Sequence, residues 1–249
     1  MIGTAQGPTQ TPVKSLDGAS RDNRRKLSWL LIFIVALGAC ALRAPRLRMR
    51  PMHTDEAVHA AKFQDLLEDG IYQYDPNEYH GPTLNYFTLI PAWLGREHTY
   101  VEINEVTLRI VSVVFGTVLV LLIAGLASGL GFGAVVAAIL AALSPAMVFY
   151  SRYYIQEMLL ACFTLGVIVW GYRYARTRSL VWALAAGGFA GLMHATKETA
   201  IIAFGSMALA LALVTLIPSG EVKSGRRVLA SVNWRHILLA MAAAVVVSA

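Results

Sequence analysis

An acidic pair, Asp55-Glu56, is the first feature that suggests chemistry, because it closely follows the first long apolar segment. Carboxylates are costly near a bilayer, so an acid at the edge of a membrane span is a candidate functional group. Such a carboxylate can act as a general base that accepts a proton from an acceptor hydroxyl. The structural alternative is that Asp55 caps a helix and Glu56 favours the helix dipole. His59 lies four residues after Asp55 and shares its helix face.

The polar segment 72–82 has groups that suit sugar recognition. Its Asp-Pro-Asn and His-Gly-Pro sequences are turn formers, so a structured loop is one interpretation. In the other interpretation, tyrosines stack on a sugar or hydrogen-bond to it, and acidic and histidine side chains add polar contacts. The residues that we expect to contact substrate in and near this segment are His59, Tyr74, Glu78 and His80.

Two later segments place a cation near an acid. Arg152 lies five residues before Glu157, and Lys197 directly precedes Glu198. Each cation could simply anchor a helix end at the lipid headgroups. As functional groups, Arg152 and Lys197 would bind a phosphate. Glu157 would then be a further acid at the site, and Glu198 would orient Lys197.

The composition indicates an integral membrane protein. Hydrophobic residues make up 57% of the 249 positions and charged residues 14%, whereas soluble domains carry about a quarter charged residues. The net charge of +6 suits contact with anionic lipid headgroups. No basic patch with interleaved aromatic residues suggests nucleic acid as a partner. Cys40 and Cys162 lie in apolar runs and suggest neither a disulfide framework nor a metal site. No cofactor is expected, with a divalent metal left as an open alternative.

Two of the predicted membrane helices come from one uncharged run. No charged residue occurs between positions 110 and 151, which is too long for one crossing of about 20 residues. The glycine-rich stretch 129–133 breaks this run into spans at 106–127 and 133–150. In the polar loop, residues 55–69 read as an amphipathic helix that Gly70 ends, and residues 83–95 read as a second one.

The sequence thus predicts an all-α polytopic membrane protein with six parts. They are a disordered basic cytoplasmic tail (1–26), a first transmembrane helix (27–44), an extracytoplasmic loop with interfacial helices (45–104), five transmembrane helices (105–218), a cytoplasmic loop (219–236) and the start of a truncated transmembrane helix (237–249). The last run is still apolar at Ala249, which suggests a fragment of a longer protein.

The distribution of Lys and Arg predicts the orientation. Basic residues cluster before the first span and in the loops near 173–178 and 223–235, which places these segments in the cytoplasm. Four arginines after the first span, Arg43, Arg46, Arg48 and Arg50, oppose the rule. With this orientation, the loop 45–104 and the turns 151–157 and 194–198 all face the outside, so their ionisable groups can meet in one cavity.

Three stretches carry a family resemblance: HTDEAVHAAKFQDLLEDGIYQYDPNEYHGPTLNYFTL, FYSRYYIQEMLL and GLMHATKETA. Together they resemble the GT-C superfamily of membrane glycosyltransferases, nearest to the dolichyl-phosphate-mannose–protein mannosyltransferases of family 39. Within that group, the chain looks most similar to the branch described as flippase activity-associated proteins.

The resemblance implies a GT-C-type helix bundle and inverting transfer of a sugar from a polyprenyl-phosphate-linked donor on the outer face of the plasma membrane. It places the catalytic base at Asp55, with Glu56 beside it, and donor-phosphate contacts at Arg152 and Lys197. A glycan, lipid or protein is the implied acceptor, and no catalytic metal is implied. The alternative function is a non-catalytic component of a flippase for polyprenyl-linked glycans.

Overall fold

The described part of the chain is built from helices. A computed structural model describes residues 13–75, 77, 80–216 and 233–248. Among these residues there is no β-strand, and an isolated antiparallel bridge joins His80 to Lys197. The predicted all-α class is confirmed.

Eleven α-helices follow one another in this part of the chain. They are α1 (Val13–Arg43), α2 (Thr54–Asp69), α3 (Thr83–Gly95), α4 (Glu105–Leu122), α5 (Ala127–Leu130), α6 (Gly133–Leu143), α7 (Pro145–Tyr150), α8 (Glu157–Thr177), α9 (Leu180–His194), α10 (Ala200–Leu216) and α11 (Trp234–Ser248). Short 3-10 helices at Leu47–Met49 and Ile123–Leu126 complete the set.

Three helical stretches are long and apolar enough to cross a membrane: Asp22–Met49, Glu105–Leu130 and Glu157–Thr177. The first two contain the spans that we predicted at 27–44 and 106–127, and the third lies within the predicted membrane region 105–218. Shorter apolar helices, α6, α9, α10 and α11, occupy the regions of the other predicted spans. The number of crossings beyond these three stays a prediction.

Helix α1 begins earlier than expected. Residues 13–26, which we expected to be disordered, form its first turns. Asp22 pairs with Arg25 at 3.1 Å and with Lys26 at 2.7 Å, and opposite charges three and four residues apart support a helix. Residues 1–12 of the predicted tail and most of the predicted loop 219–236 lie outside the described residues.

The predicted span 133–150 is divided in two. Helix α6 ends at Leu143 and α7 begins at Pro145, because a proline disfavours helical geometry in the residue before it. Ser144 accordingly has an extended ψ of 123° and caps α7 through its hydroxyl. The glycine-rich break is confirmed, since Gly131 has a φ of 57° between α5 and α6.

The two helices predicted in the polar loop are confirmed. Helix α2 ends at Gly70, whose φ of 71° favours glycine, and α3 has the predicted bounds 83–95. The cap of α2 is His53 instead of Asp55: its ring accepts a hydrogen bond from the Asp55 N–H, and Glu56 accepts one from the His53 N–H. The interpretation of Asp55 as the cap was therefore wrong.

Helices α2 and α3 dock on the bundle through their apolar faces. Phe63 of α2 and Leu84 of α3 are fully buried in one cluster with Leu108 of α4 and Phe163 of α8. Val58 of the same helix α2 is 40% exposed. Burial of Phe63 and Leu84 favours a fixed position of the loop on α4 and α8.

One end of the bundle, which we call the loop end, carries α2 and α3. The three candidate spans meet there at Met49, Glu105 and Glu157, because α1 packs on α4 and α4 packs on α8. The short turn between α9 and α10 lies at the same end. The other termini of the three spans lie at the opposite end, with the turn between α5 and α6.

Candidate active site

A cavity of about 340 Å³ opens at the loop end. Its wall comes from α2, the loop after α2, the turn before α8 and the turn after α9. It is lined by Asp55, Val58, His59, His80, Ile155, Glu157 and Lys197. Five of these residues were candidates from the sequence, and the structure brings them together from three distant segments.

Asp55 is the accessible acid of this cavity. It lies in the first turn of α2, and its side chain is 70% exposed. The Nδ1 atom of His53 lies 3.6 Å from its Oδ2 atom. Its carboxylate lines the cavity and is exposed, so it is placed to accept a proton from a hydroxyl bound there.

Glu56 does not line the cavity. Its side chain is fully buried, and both carboxylate oxygens are occupied. Arg109 donates from Nε to Oε1 and from Nη2 to Oε2, both at 2.8 Å. The backbone N–H of Tyr154 donates to Oε1 at 2.8 Å, and that of His53 donates to Oε2 at 3.0 Å. The expectation that Glu56 is catalytic beside Asp55 is therefore corrected: Glu56 ties α2 to the bundle.

Hydrogen bonds keep Glu56 ionised. Burial by itself raises the pKa of this carboxyl, but the hydrogen bonds from Arg109 and from the backbone of His53 and Tyr154 outweigh burial. The net pKa therefore lies below its usual value.

Arg109, which sequence reasoning missed, holds several segments at once. Besides Glu56, its guanidinium binds the backbone carbonyls of Leu47, Arg50 and Pro51. It is 1% exposed and comes from α4, a membrane-span candidate. A lone arginine in an apolar helix is a signal for a buried partner, and this signal was available in the sequence.

Lys197 and Glu157 form an ion pair at the cavity wall. The Lys197 ammonium lies 2.8 Å from Glu157 Oε1, with side-chain exposures of 20% and 41%. Glu157 is thus the acid that orients Lys197, a role that we had expected of Glu198. Glu198 instead accepts a hydrogen bond from the hydroxyl of Tyr74.

The loop after α2 is bonded to the turn after α9. His80 and Lys197 form a β-bridge, and Gly81 N–H donates to Thr196 O at 3.0 Å. The hydroxyls of Thr83 and Thr196 are 2.8 Å apart. A Cβ at Gly81 would lie 1.9 Å from Ala195 O, so this approach requires glycine.

Aromatic rings line the inner wall. The rings of His59 and His80 meet edge to face at 4.8 Å, and His59 is 3% exposed. Behind them lies Tyr154, whose hydroxyl bonds Thr88 at 2.9 Å and Asn85 at 3.2 Å. Burial raises the pKa of Tyr154, so it stays a neutral hydroxyl that supports the histidines.

Comparison with known proteins bears on this arrangement. A protein-family model described as dolichyl-phosphate-mannose-protein mannosyltransferase matches residues 88–249. The chain belongs to this family. No curated protein and no solved structure matches it. The family resemblance seen in the sequence is confirmed, and with it a membrane glycosyltransferase of the GT-C type.

The match to the mannosyltransferase family begins within α3. It contains Glu157 and Lys197 but not α2, which carries Asp55. The structure joins the two parts through the bonds of Glu56 to Arg109 and of His80 to Lys197.

Arg152, an expected phosphate contact of this mannosyltransferase-family chain, lies at the end of α1. Its Nη1 donates to Arg43 O at 2.7 Å, and weaker contacts at 3.5 Å reach Leu42 O and Arg46 O. It therefore satisfies the last carbonyls of α1 and does not line the cavity. The expected phosphate contact by Arg152 is corrected on this ground.

Arginines after the first span are also held inside this mannosyltransferase-family fold. Arg43 is 1% exposed and donates to Ser151 Oγ, Ala39 O and Ala141 O, each at 3.1 Å. The guanidinium of Arg50 lies 3.2 Å from the centre of the Tyr153 ring. Arg43 and Arg50 both opposed the orientation predicted from the distribution of Lys and Arg. Their contacts show that their charges are held within the fold.

Two further candidates, Tyr74 and Glu198, do not line the cavity. Tyr74, which is 50% exposed, bonds Glu198. Glu78 lies outside the described residues, so its expected contact with substrate stays a prediction. Among the residues that the structure describes, no group of three or more His, Cys, Asp or Glu is placed to hold a metal ion.

Proposed function

We propose that the chain transfers a sugar from a polyprenyl-phosphate-linked donor to an acceptor hydroxyl, with inversion at the anomeric carbon. The observation that supports this most is that Asp55 and Lys197 line the same cavity. One can accept a proton, and the other can bind a phosphate. The family match is to proteins whose description names a phosphate-linked mannose donor.

The reaction needs a base on one side of the sugar and a cation on the other. The acceptor oxygen attacks the anomeric carbon from the face opposite the phosphate, and its proton passes to Asp55. The bond between the anomeric carbon and the phosphate oxygen breaks, and the polyprenyl phosphate leaves with the electron pair. Lys197 stabilises the negative charge that develops on the leaving phosphate.

Each acid then has its own role. Asp55 is the base, because its carboxylate is exposed to the cavity, whereas Glu56 is buried against Arg109. Glu157 is a positioning residue that keeps the Lys197 ammonium at the wall. The phosphate joins Lys197 as a second anionic partner beside Glu157.

The histidines and the loop would hold the sugar. His59 and His80 offer ring nitrogens at the wall as partners for sugar hydroxyls. The bonds of His80 and Gly81 to the turn 195–199 hold this end of the loop at the cavity wall, where it limits access of water, a competing acceptor. Tyr74 and Glu198, which are bonded to each other, extend the contact surface for the substrate.

We further propose that the loop end faces the extracytoplasmic side of the plasma membrane. The distribution of Lys and Arg supports this orientation. It exposes the loop 45–104 and both turns of the cavity to an acceptor outside the cell.

The test uses proteoliposomes loaded with labelled polyprenyl-phosphate mannose and a cell-envelope extract as the source of acceptors. Transfer is the label that leaves the lipid fraction for glycan, and translocation is label that changes leaflet. We expect transfer by the wild-type chain and loss of transfer in Asp55→Asn, with normal membrane insertion. Asp65→Asn is the matched control, since it makes the same change at an exposed position of α2.

Two outcomes would overturn the proposal. Wild-type rates of transfer by Asp55→Asn would remove Asp55 from the reaction. Translocation without any transfer by the wild-type chain would favour the flippase alternative.

A further inference from the structure

A second cavity, of about 890 Å³, lies at the opposite end of the bundle. The segment 22–31 of α1, the turn between α5 and α6, and the last turn of α8 form its wall. Its lining includes Asp22, Arg24, Arg25, Leu27, Phe132 and Arg176. The reaction proposed above uses none of them.

The position of this cavity along the bundle is that of lipid headgroups. Two candidate membrane spans end at Leu130 and Thr177, next to the lining residues Gly131 and Arg176. On α1, the charged residues 22–26 are followed by the apolar run that begins at Leu27. Leu31 lies about 14 Å from Asp22 along α1, at about 1.5 Å per residue. The cavity therefore runs from the polar edge of the spans into their apolar part.

The polar part of the lining is strongly basic. Three arginines and one aspartate give it a net charge of +2. Asp22 is engaged with Arg25 at 3.1 Å and with Lys26, which is outside the lining, at 2.7 Å. The guanidinium of Arg176 lies 6.0 Å from the centre of the Tyr172 ring. A contact of this kind does not use the N–H donors of the arginine in hydrogen bonds.

The deeper part of the lining is apolar. Leu27 is 54% exposed and Phe132 is 67% exposed, and Leu31 and Ala127 lie beside them. A ligand that suits both parts has an anionic group that arginine binds in two-pronged fashion, such as phosphate, joined to an apolar chain.

We propose that this cavity binds the phosphate of an anionic membrane phospholipid, with its acyl chain against Leu27 and Phe132. The site is separate from the cavity of Asp55 and does not depend on the proposed transfer reaction. Its ligand would stabilise the ends of α1, α5 and α8 relative to one another.

The experiment is native mass spectrometry of the purified chain in detergent, with phosphatidylglycerol and phosphatidylcholine at equal concentration. We expect phosphatidylglycerol to be retained about tenfold more, because the choline cation is repelled by a lining of the same sign. The double variant Arg24→Gln/Arg176→Gln should lose this preference. The double variant Arg24→Lys/Arg176→Lys should keep part of it, because the charge is retained.

The matched control is Arg173→Gln/Arg235→Gln. It removes the same charge from outside the lining, since Arg173 of α8 stacks on Trp182 with 4.8 Å between guanidinium and ring and Arg235 is exposed on α11. Gel filtration of every variant checks folding. If both double Gln variants lose phosphatidylglycerol equally, the preference depends on the overall charge of the protein. That result would overturn the proposed site.

Inorganic phosphate as a competitor separates a lipid from a soluble ligand. We expect it to displace phosphatidylglycerol only in large excess, because it has no chain for the apolar wall. Displacement at equal concentration would assign the cavity to a soluble phosphate compound and overturn the lipid proposal.

Discussion

Glu56 and Arg109 form a two-pronged ion pair between the loop and the bundle, with both N–O distances at 2.8 Å. Their side chains are 0% and 1% exposed. Because Asp55 directly precedes Glu56, the pair fixes the position of the proposed base relative to α4. Glu56 thus anchors the loop to the bundle, and its neighbour Asp55 is the proposed base.

Replacement of Glu56 by glutamine should destabilise the fold. The side chain keeps its size, but the buried Arg109 loses its counter-charge, and loss of one partner of such a pair costs about 3–5 kcal/mol. We expect a lower midpoint of thermal unfolding in detergent. Asp55→Asn is the control, and its exposed carboxylate should leave the midpoint unchanged; a wild-type midpoint for Glu56→Gln would contradict the anchoring role.

The stability of the fold should depend on pH through Glu56. Its pKa in the folded state lies below the usual 4.5, so the unfolded chain binds a proton first as pH falls. The stabilisation is complete well above pH 4.5 and is lost as pH falls through the lower folded pKa. The measurement is the unfolding midpoint of wild type minus that of Glu56→Gln from neutral to acid pH. A difference that stays constant down to the acid range would disprove the linkage.

Lys197 and Arg152 should differ in their effect on the donor. Lys197→Gln removes the proposed phosphate contact, and we expect a loss in kcat/KM of roughly 10- to 100-fold for polyprenyl-phosphate mannose. Lys197→Arg should keep part of the activity.

Arg152→Gln is the comparison for Lys197. It removes hydrogen bonds to the carbonyls at the end of α1, so it should lower stability by about 1–3 kcal/mol and leave KM for the donor unchanged. A large rise in KM for the donor with Arg152→Gln would instead show that Arg152 contacts the donor phosphate.

Gly81→Ala should separate the loop from the turn after α9. The added Cβ meets Ala195 O at 1.9 Å, so the backbone must shift and move His80 at the cavity wall. A displacement of this kind can lower kcat by about a hundredfold. Gly38→Ala is the control, because a Cβ there meets nothing within 4 Å. Equal activities of the two variants would show that the contact is dispensable.

The sequence predicted what depends on local pattern. Periodicity and Gly70 located α2, and the same kind of signal located α3. Topology predicted that the turns 151–157 and 194–198 meet the loop, and the structure places Asp55, Glu157 and Lys197 in one cavity.

Pairing between distant residues could not be predicted in the same way. No spacing in the chain links Glu56 to Arg109 or Lys197 to Glu157, since each pair forms only when helices pack. Glu198 was chosen as the partner of Lys197 because it is adjacent, but Lys197 pairs with Glu157 and Glu198 bonds Tyr74. Arg152 was assigned to phosphate by residue type, whereas the open carbonyls of α1 take its donors.

The burial of Arg43 and Arg109 matters for how membrane topology is inferred from sequence. A tally of positive charges treats every guanidinium near a span as a cytosolic retention signal, yet these two are neutralised within the fold by carbonyl dipoles or a carboxylate. Topology prediction for chains of this kind improves when such internal cations are subtracted before the two sides are compared.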